Sequence, residues 1–309
     1  MTTTGACPLC GATAFEPLHA RVRDFEHGLP NETDFAVCRG CGLVVQAPQP
    51  ALAALLSFYP DDYRPHVSGT AAAGGGGALG WLKGIQSRLL VSRYARWLPA
   101  DRAASIADVG CGSGQFLRAL AAAGYTNLTG VDRNPRLGAG FAGTPIRFVA
   151  RELEPDFELG GRYQTIVMNY VLEHFLDPLR VLAGCRAALE PGGRVVVMTP
   201  NVDAWAHRLF GRSWSGLHAP RHTHLFNPRT LARAAEKAGF AKGKIETAFV
   251  TDPASWAFSF QNRVRARATS GVARGTAWYA LASLPLWAPL ALGERLAGHG
   301  GSIVMAAST

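Results

Sequence analysis

Two cysteine pairs, Cys7-Pro-Leu-Cys10 and Cys38-Arg-Gly-Cys41, carry the first chemistry legible in this chain of 309 residues. Each C-x-x-C pair can turn back on itself, and two such pairs can enclose one tetrahedral ion with four thiolates, a set that suits zinc. Gly11 and Gly42 follow the pairs, where tight knuckle turns need a residue without Cβ. Four thiolates leave zinc no open position, so a metal on Cys7, Cys10, Cys38 and Cys41 is expected to be structural. The second set of residues is Asp108-Val-Gly110-Cys111-Gly112-Ser-Gly114-Gln115. An apolar run, Ala103 to Val109, enters it and a helical run, Gln115 to Ala123, leaves it. Strand, glycine turn and helix in that order are where an α/β fold places a nucleotide. A second strand, Leu128 to Asp132, ends on a carboxylate that can accept hydrogen bonds from both hydroxyls of a ribose.

The glycine spacing is G-x-G-x-G, so the third glycine falls one residue early for a pyrophosphate cradle. Asp108 would repel a pyrophosphate but suits an ammonium, directly or through water. S-adenosylmethionine carries an ammonium and no phosphate. The run Asp108 to Gln115 resembles the first motif of class I S-adenosylmethionine-dependent methyltransferases. The resemblance continues through Val131-Asp132, Asn169-Tyr-Val-Leu-Glu-His-Phe-Leu-Asp-Pro178, Leu189-Glu-Pro-Gly-Gly193 and Met198-Thr-Pro-Asn201. It implies a cofactor site of Asp108, Gly110, Cys111, Gly112, Gly114, Gln115, Asp132, Arg133, Asn169 and Tyr170. Glu152 stands where the family places an acid for the adenine amino group, although Arg151 and Glu154 crowd it and a solvated carboxylate is an open alternative. Cys41 to Pro48 and Phe58 to Tyr63 resemble a bacterial subgroup with zinc-ribbon fronts, in which Tyr59 and Tyr63 could border the substrate. A Trp214 and Pro220-Arg-His222 phrase before a helix resembles the same subgroup.

These residues need an α/β scaffold. Apolar runs at Leu128–Asp132, Ile146–Ala150, Thr165–Asn169 and Arg194–Thr199 alternate with helical ones, which requires a mostly parallel sheet with ligands at the strands' carboxyl ends. The expected fold is therefore a Rossmann-like, seven-stranded class I methyltransferase sheet with an N-terminal four-cysteine zinc ribbon. Strands at Lys244–Val250 and Ser302–Ala306 complete it, with a helical insertion before the last strand. Pro178–Leu189 and Trp81–Leu98 read as helices, and Asn227, Pro228 and Gly239 mark the start and stop of another. The domain reading is 1–66 for the ribbon and cap, 67–80 for a flexible linker rich in glycine, and 81–309 for the methyltransferase domain, with 251–300 as the insertion. Cys111 and Cys185 read as small core residues.

Two histidines are candidates for removing a proton from an acceptor: His222 after the fifth strand of the domain and His174 after the fourth. Either could instead hydrogen-bond its own loop. Glu173 with His174 could hold a metal, but no third ligand is adjacent in sequence. Of the histidines at 218, 222 and 224, His222 is expected to face the site and the others to satisfy the loop, since no acid or cysteine joins them.

No N-terminal signal segment is visible, so the six cysteines read as thiols in the cytoplasm. The net charge is +9, and Trp205 to Thr309 holds thirteen Lys/Arg against four Asp/Glu. Arg263, Arg265, Arg267 and Arg274 precede an uncharged run, Gly275 to Gly293, that approaches the ~20 residues of a membrane span. Strands flank that run and must share one sheet, which leaves a buried helical pair or a peripheral membrane contact through 263–293. A small-molecule or lipid-linked acceptor is expected, O- or C-methylated. An RNA methyltransferase is the first rival; the acidic ribbon segment and the absence of an Asn-Pro-Pro-Tyr motif make a nucleic-acid partner unexpected. A non-catalytic binding module is the second, opposed by the intact Asp108, Asp132 and glycines.

Overall fold

The computed structural model describes residues 5–59, 78–154, 156–267 and 276–309. Most of the expected linker, together with Tyr63, Arg274 and Gly275, lies outside the described residues. Seven strands form the main sheet: β4 (Ile106–Val109), β5 (Leu128–Asp132), β6 (Ile146–Ala150), β7 (Tyr163–Asn169), β8 (Leu189–Pro200), β10 (Ile245–Val250) and β11 (Ser302–Ser308). Their order is β10-β11-β8-β7-β4-β5-β6, and β11 runs against both of its neighbours while β4 to β8 are parallel. The central strands are near-continuous apolar runs because helices cover both faces. Ile106, Val109, Ile166, Val167, Val195 to Met198 and Ile303 to Met305 are all fully buried.

Local chemistry sets the boundaries. Asn227 accepts from Thr230 N and Thr230 Oγ1 from Asn227 N, a reciprocal cap that starts the helix Pro228–Lys237. Gly114, at φ 78°, starts the helix Gln115–Ala122; a Cβ there would stand 2.4 Å from the Phe141 ring. After Asp132 the chain makes only a 3-10 turn, Pro135–Phe141, as its proline and glycines dictate. The expected helix Trp81–Leu98 is instead Ala78–Ser92, followed by turns that drive Tyr94 and Trp97 into the core.

The N-terminal segment forms a second sheet, ordered β1-β2-β3-β9, from β1 (Phe15–Arg23), β2 (Glu32–Cys38), β3 (Val44–Gln46) and β9 (His224–Leu225). The last of these comes from the stretch after β8, far along the chain from the other three. Phe35, Val44 and Val22 pack with Trp214, Leu217, Leu225 and Trp256 in one cluster. The segment therefore caps the carboxyl ends of the main sheet.

Between β10 and β11 lie helices Pro253–Arg265, Trp278–Ala282 and Leu284–Leu296. The stretch is buried on one face only. Trp256 and Ala280 are buried and Trp287 packs half-buried on Phe210, Trp256 and Phe260, yet Trp278, Leu286 and Leu296 are 79%, 65% and 77% exposed. Among the described residues no helix is long and apolar enough to cross a membrane.

Candidate active site

The carboxyl ends of β4, β5, β7 and β8, the cap and the helix Pro253–Arg265 enclose a cavity of about 720 Å³. That size is within the range of small-molecule sites, roughly 300–1,000 Å³. Every residue expected to hold the cofactor lines it: Asp108, Gly110, Cys111, Gly112, Gln115, Asp132, Arg133, Glu152, Asn169 and Tyr170, with the exception of Gly114, which instead fixes the turn beneath.

At one end two carboxylates face each other's field. Asp132 Oδ2 accepts from Gly112 N at 2.9 Å and Oδ1 from Asn134 N at 3.0 Å, which fixes its plane at the tip of β5. Asp108 sits at 3% exposure inside β4. Burial, and then the nearby Asp132, push its carboxyl up to about 8. A cation placed beside it would restore the ionised form. Gly110 lies at φ 69°, and a Cβ there would come within 2.8 Å of the Val171 side chain. Tyr170 also adopts positive φ, at 57°, held by its backbone N–H on the Met198 carbonyl and its hydroxyl against Ser302 Oγ at 2.7 Å. Asn169 Oδ1 accepts from the buried Tyr94 hydroxyl at 2.6 Å. Arg133 stacks over Tyr59, 4.9 Å from the ring centre, and Tyr59 borders the cavity, the rarer of the two outcomes open to it. Glu152 is exposed at the rim. Cys111 and Cys185 are both buried.

The other end is a polar cluster that the sequence reading only partly foresaw. His174 and His222 reach the cavity wall, and so does His218, which was assigned to the loop alone. Acids do join these histidines, contrary to expectation. Glu26, from the turn between β1 and β2, contacts His218 Nε2, and Glu173 Oε1 lies 3.8 Å from His222 Nε2. Glu26 is partly desolvated, but His218 and Arg221 hold its carboxyl down to about 2. His224 behaves as predicted, bonded to Phe175 O and Gln49. Arg221, fully buried, donates to both oxygens of Asp24 at 3.1 and 2.9 Å and to the Phe58 carbonyl at 3.3 Å. Asp24, Glu26 and Arg221 could not be found from spacing, because 197 residues separate Asp24 from Arg221 and 192 separate Glu26 from His218. Burial first, then neighbouring cations, lower His174 to about 3 and His222 well below its ordinary value. His222 Nδ1 is held by Gly216 O at 2.8 Å and His174 Nδ1 lies 2.9 Å from the Tyr59 hydroxyl.

The four cysteines converge where the N-terminal segment packs on the core that includes Phe226 and Leu231. Cys7 and Cys41 sulfurs are 3.6 Å apart and those of Cys10 and Cys38 are 3.5 Å apart, with all four within 4.8 Å. A tetrahedral zinc about 2.3 Å from each sulfur sets such edges near ~3.8 Å, so the residues fit that ion. Gly11 N and Gly42 N donate to the Cys7 and Cys38 carbonyls at 2.8 Å, closing both knuckles. The Ala12 backbone N–H brings the Cys10 thiol down to about 7.

Known proteins fit this geometry. Residues 82–243 match the protein family described as a methyltransferase domain, more than half of the chain. The chain belongs to the S-adenosylmethionine-dependent methyltransferases. A ubiquinone biosynthesis O-methyltransferase of Cereibacter sphaeroides is 31% identical over 172 residues, which are 50% of this chain and 67% of the relative. Another of that name, from Methylobacterium nodulans, is 33% identical over 157 residues, 47% of this chain and 62% of its own. Among solved structures, phosphoethanolamine N-methyltransferase 2 of Haemonchus contortus, in complex with S-adenosyl-L-methionine, superposes with a TM-score of 0.52 at 16% identity. The match covers 86% of this methyltransferase and 62% of the other. That likeness concerns the fold.

Proposed function

We propose that this methyltransferase places S-adenosylmethionine between Asp108 and Asp132 and moves its methyl group to a hydroxyl oxygen of a small-molecule acceptor at the histidine end. The observation that carries the reading is the continuous cavity joining those two carboxylates to His174 and His222. The named relatives support oxygen as the accepting atom.

Asp132 accepts from the ribose hydroxyls, Asp108 faces the cationic amino acid end, and Gly110 and Gly112 let the cofactor lie on the backbone. Gln115, Arg133, Asn169 and Tyr170 border it, with Glu152 at the adenine side. S-adenosylmethionine held there would supply an activated methyl for in-line displacement by the acceptor oxygen, its sulfur leaving as a thioether. His174 and His222 orient the acceptor hydroxyl, whose proton passes to solvent from the histidine end of the cavity. The enzyme's task is alignment and exclusion of water, because the donor is already activated. One zinc on Cys7, Cys10, Cys38 and Cys41 holds the cap in place and supplies no chemistry.

A lipid-linked acceptor is a second reading, favoured by the exposed Trp278, Leu281, Leu286, Leu290 and Leu296. The test is turnover against three acceptors: a soluble dihydroxybenzene, its polyprenyl derivative and a structured RNA. O-methylated product from either of the first two is expected, and preference for the polyprenyl compound with retention on liposomes supports the second reading. Methylation of RNA alone would overturn both.

A further inference from the structure

The histidine end of the cavity is more than a set of bases. One ring nitrogen from each of His174, His218 and His222 lies within 4.8 Å of the others. The rings stand nearly perpendicular in every pairing, at 82°, 77° and 79°. His218 Nδ1 and His222 Nε2 are 3.3 Å apart. Nitrogens that share a tetrahedral ion at about 2.1 Å stand roughly 3.4 Å from each other.

The outer partners are those that metal-bound imidazoles use. A ligating histidine gives its second N–H to a carbonyl or carboxylate, which fixes its tautomer and turns its lone pair inward. His222 Nδ1 meets the Gly216 carbonyl at 2.8 Å, His174 Nδ1 the Tyr59 hydroxyl at 2.9 Å and the Arg221 carbonyl at 3.2 Å, and His218 Nε2 the Glu26 carboxylate, with the Arg221 Nε–H also directed at it from 3.1 Å. With protons held outward in this way, the inner nitrogens of the three rings face one another, and a cation among them would engage all three, where a hydrogen bond between His218 and His222 engages only two.

An independent observation comes from Glu173. It is 0% exposed, and no hydrogen bond of good geometry reaches either carboxylate oxygen, although the Thr199 hydroxyl and its own backbone N–H lie close by. A buried carboxylate so weakly partnered is costly in general, which a shared cation offsets. Its Oε1 is 3.8 Å from His222 Nε2, on the rim of the same cluster.

We propose that His174, His218 and His222, with Glu173 alongside, bind one divalent transition-metal cation at the acceptor end of the cavity. Three imidazoles favour zinc or a neighbouring first-row ion over magnesium. Three protein nitrogens leave a position open, and the three histidines line the cavity, so the open position faces the acceptor space. An acceptor oxygen is the ligand that completes the shell. The site is separate from the four cysteines in composition and place. Its role toward the acceptor rests on the proposed function, whereas its existence does not.

The experiment counts and types the metal in the full-length chain. Protein loaded with zinc is expected to hold two equivalents, one surviving a mild chelator and one released by it. Cobalt added to the vacated position should give visible bands without intense thiolate charge transfer, and X-ray absorption should show only nitrogen and oxygen neighbours. His218→Asn and Glu173→Gln should each weaken the second equivalent at least tenfold and leave the first unchanged. A single equivalent in the wild type, sulfur neighbours on the added cobalt, or full retention in His218→Asn would each overturn the site. The wild-type spectrum decides the matter even where a variant fails to fold. Absence of methyl transfer would leave this count as it is, and an absent second metal would leave methyl transfer standing.

Discussion

Replacing Arg221 by methionine should show how firmly the cap is held. Arg221 and Asp24 are 0% and 1% exposed and bond through both carboxylate oxygens, at 2.9 and 3.1 Å. Removing one member of such a buried pair costs about 3–5 kcal/mol in general, chiefly from the charge left behind. Here Asp24 Oδ1 retains the N–H groups of Glu26 and His27 at 2.9 and 3.1 Å, and Oδ2 that of Leu29 at 3.4 Å. Arg221→Met therefore belongs at the lower end, about 3 kcal/mol, a drop in Tm of roughly 6–12 °C for a domain of this size. Asp24→Leu strands the cation with weaker partners and should cost at least as much. The double variant should be more stable than the sum of the two losses by more than about 1 kcal/mol, since neither charge is then left alone. Burial opposes ionisation of Asp24, but Arg221 and those backbone donors prevail and hold its carboxyl below the ordinary value. The pair's contribution is thus complete above the ordinary carboxylate value of about 3.9 and lost as pH falls through the lower folded value. Urea denaturation at neutral pH measures all three variants. Arg221→Met within about 1 kcal/mol of wild type, or strictly additive losses, would refute the reasoning.

Three further outcomes are expected. Asp132→Ala should weaken S-adenosylmethionine by about 1.5–3 kcal/mol, the worth of a charged hydrogen bond, while leaving the fold intact; calorimetry showing unchanged affinity would count against the ribose role. Asp108 has a raised folded pKa of about 8, so the stability it contributes is complete below its ordinary value and is lost as pH rises through about 8. A bound cation favours the ionised form, so S-adenosylmethionine affinity should climb between about pH 6 and 8, by up to about tenfold per unit, and Asp108→Asn should flatten that slope. Chelation of the zinc proposed on the four cysteines, or Cys41→Ser, should expose amides of β1 to β3 to hydrogen exchange before those of β4 and β7; simultaneous loss of both sheets would contradict a local role.

What could be read in advance divides by chain distance. The strands from β4 to β8 stand where alternating apolar and helical runs put them, because each βα unit is decided within some thirty residues. Asp108, Asp132 and the glycines were legible for the same reason, as was the Asn227 cap. β9 was not: two residues carry no periodicity, and only pairing with Val44 and Val45 makes them a strand. Glu173 was visible beside His174, but Glu26 escaped notice because it lies 192 residues from His218. The helices from Trp278 to Leu296 were expected to be a buried pair or an interfacial segment; they are buried on one face only, since hydropathy records how apolar a stretch is and not which of its faces finds a partner.

The placement of β9 bears on how this protein can be divided. A boundary near residue 66 looks natural on the sequence, yet the N-terminal sheet is closed by His224 and Leu225. Cutting there would strip β3 of its outer neighbour. It would also leave Arg221 without Asp24, and His218 without Glu26. Neither piece would inherit a finished surface, so the front of the chain is not an interchangeable module grafted on an enzyme. A transplant onto another methyltransferase would have to bring residues 214–226 with it, and directed evolution of acceptor choice would need to vary both stretches together.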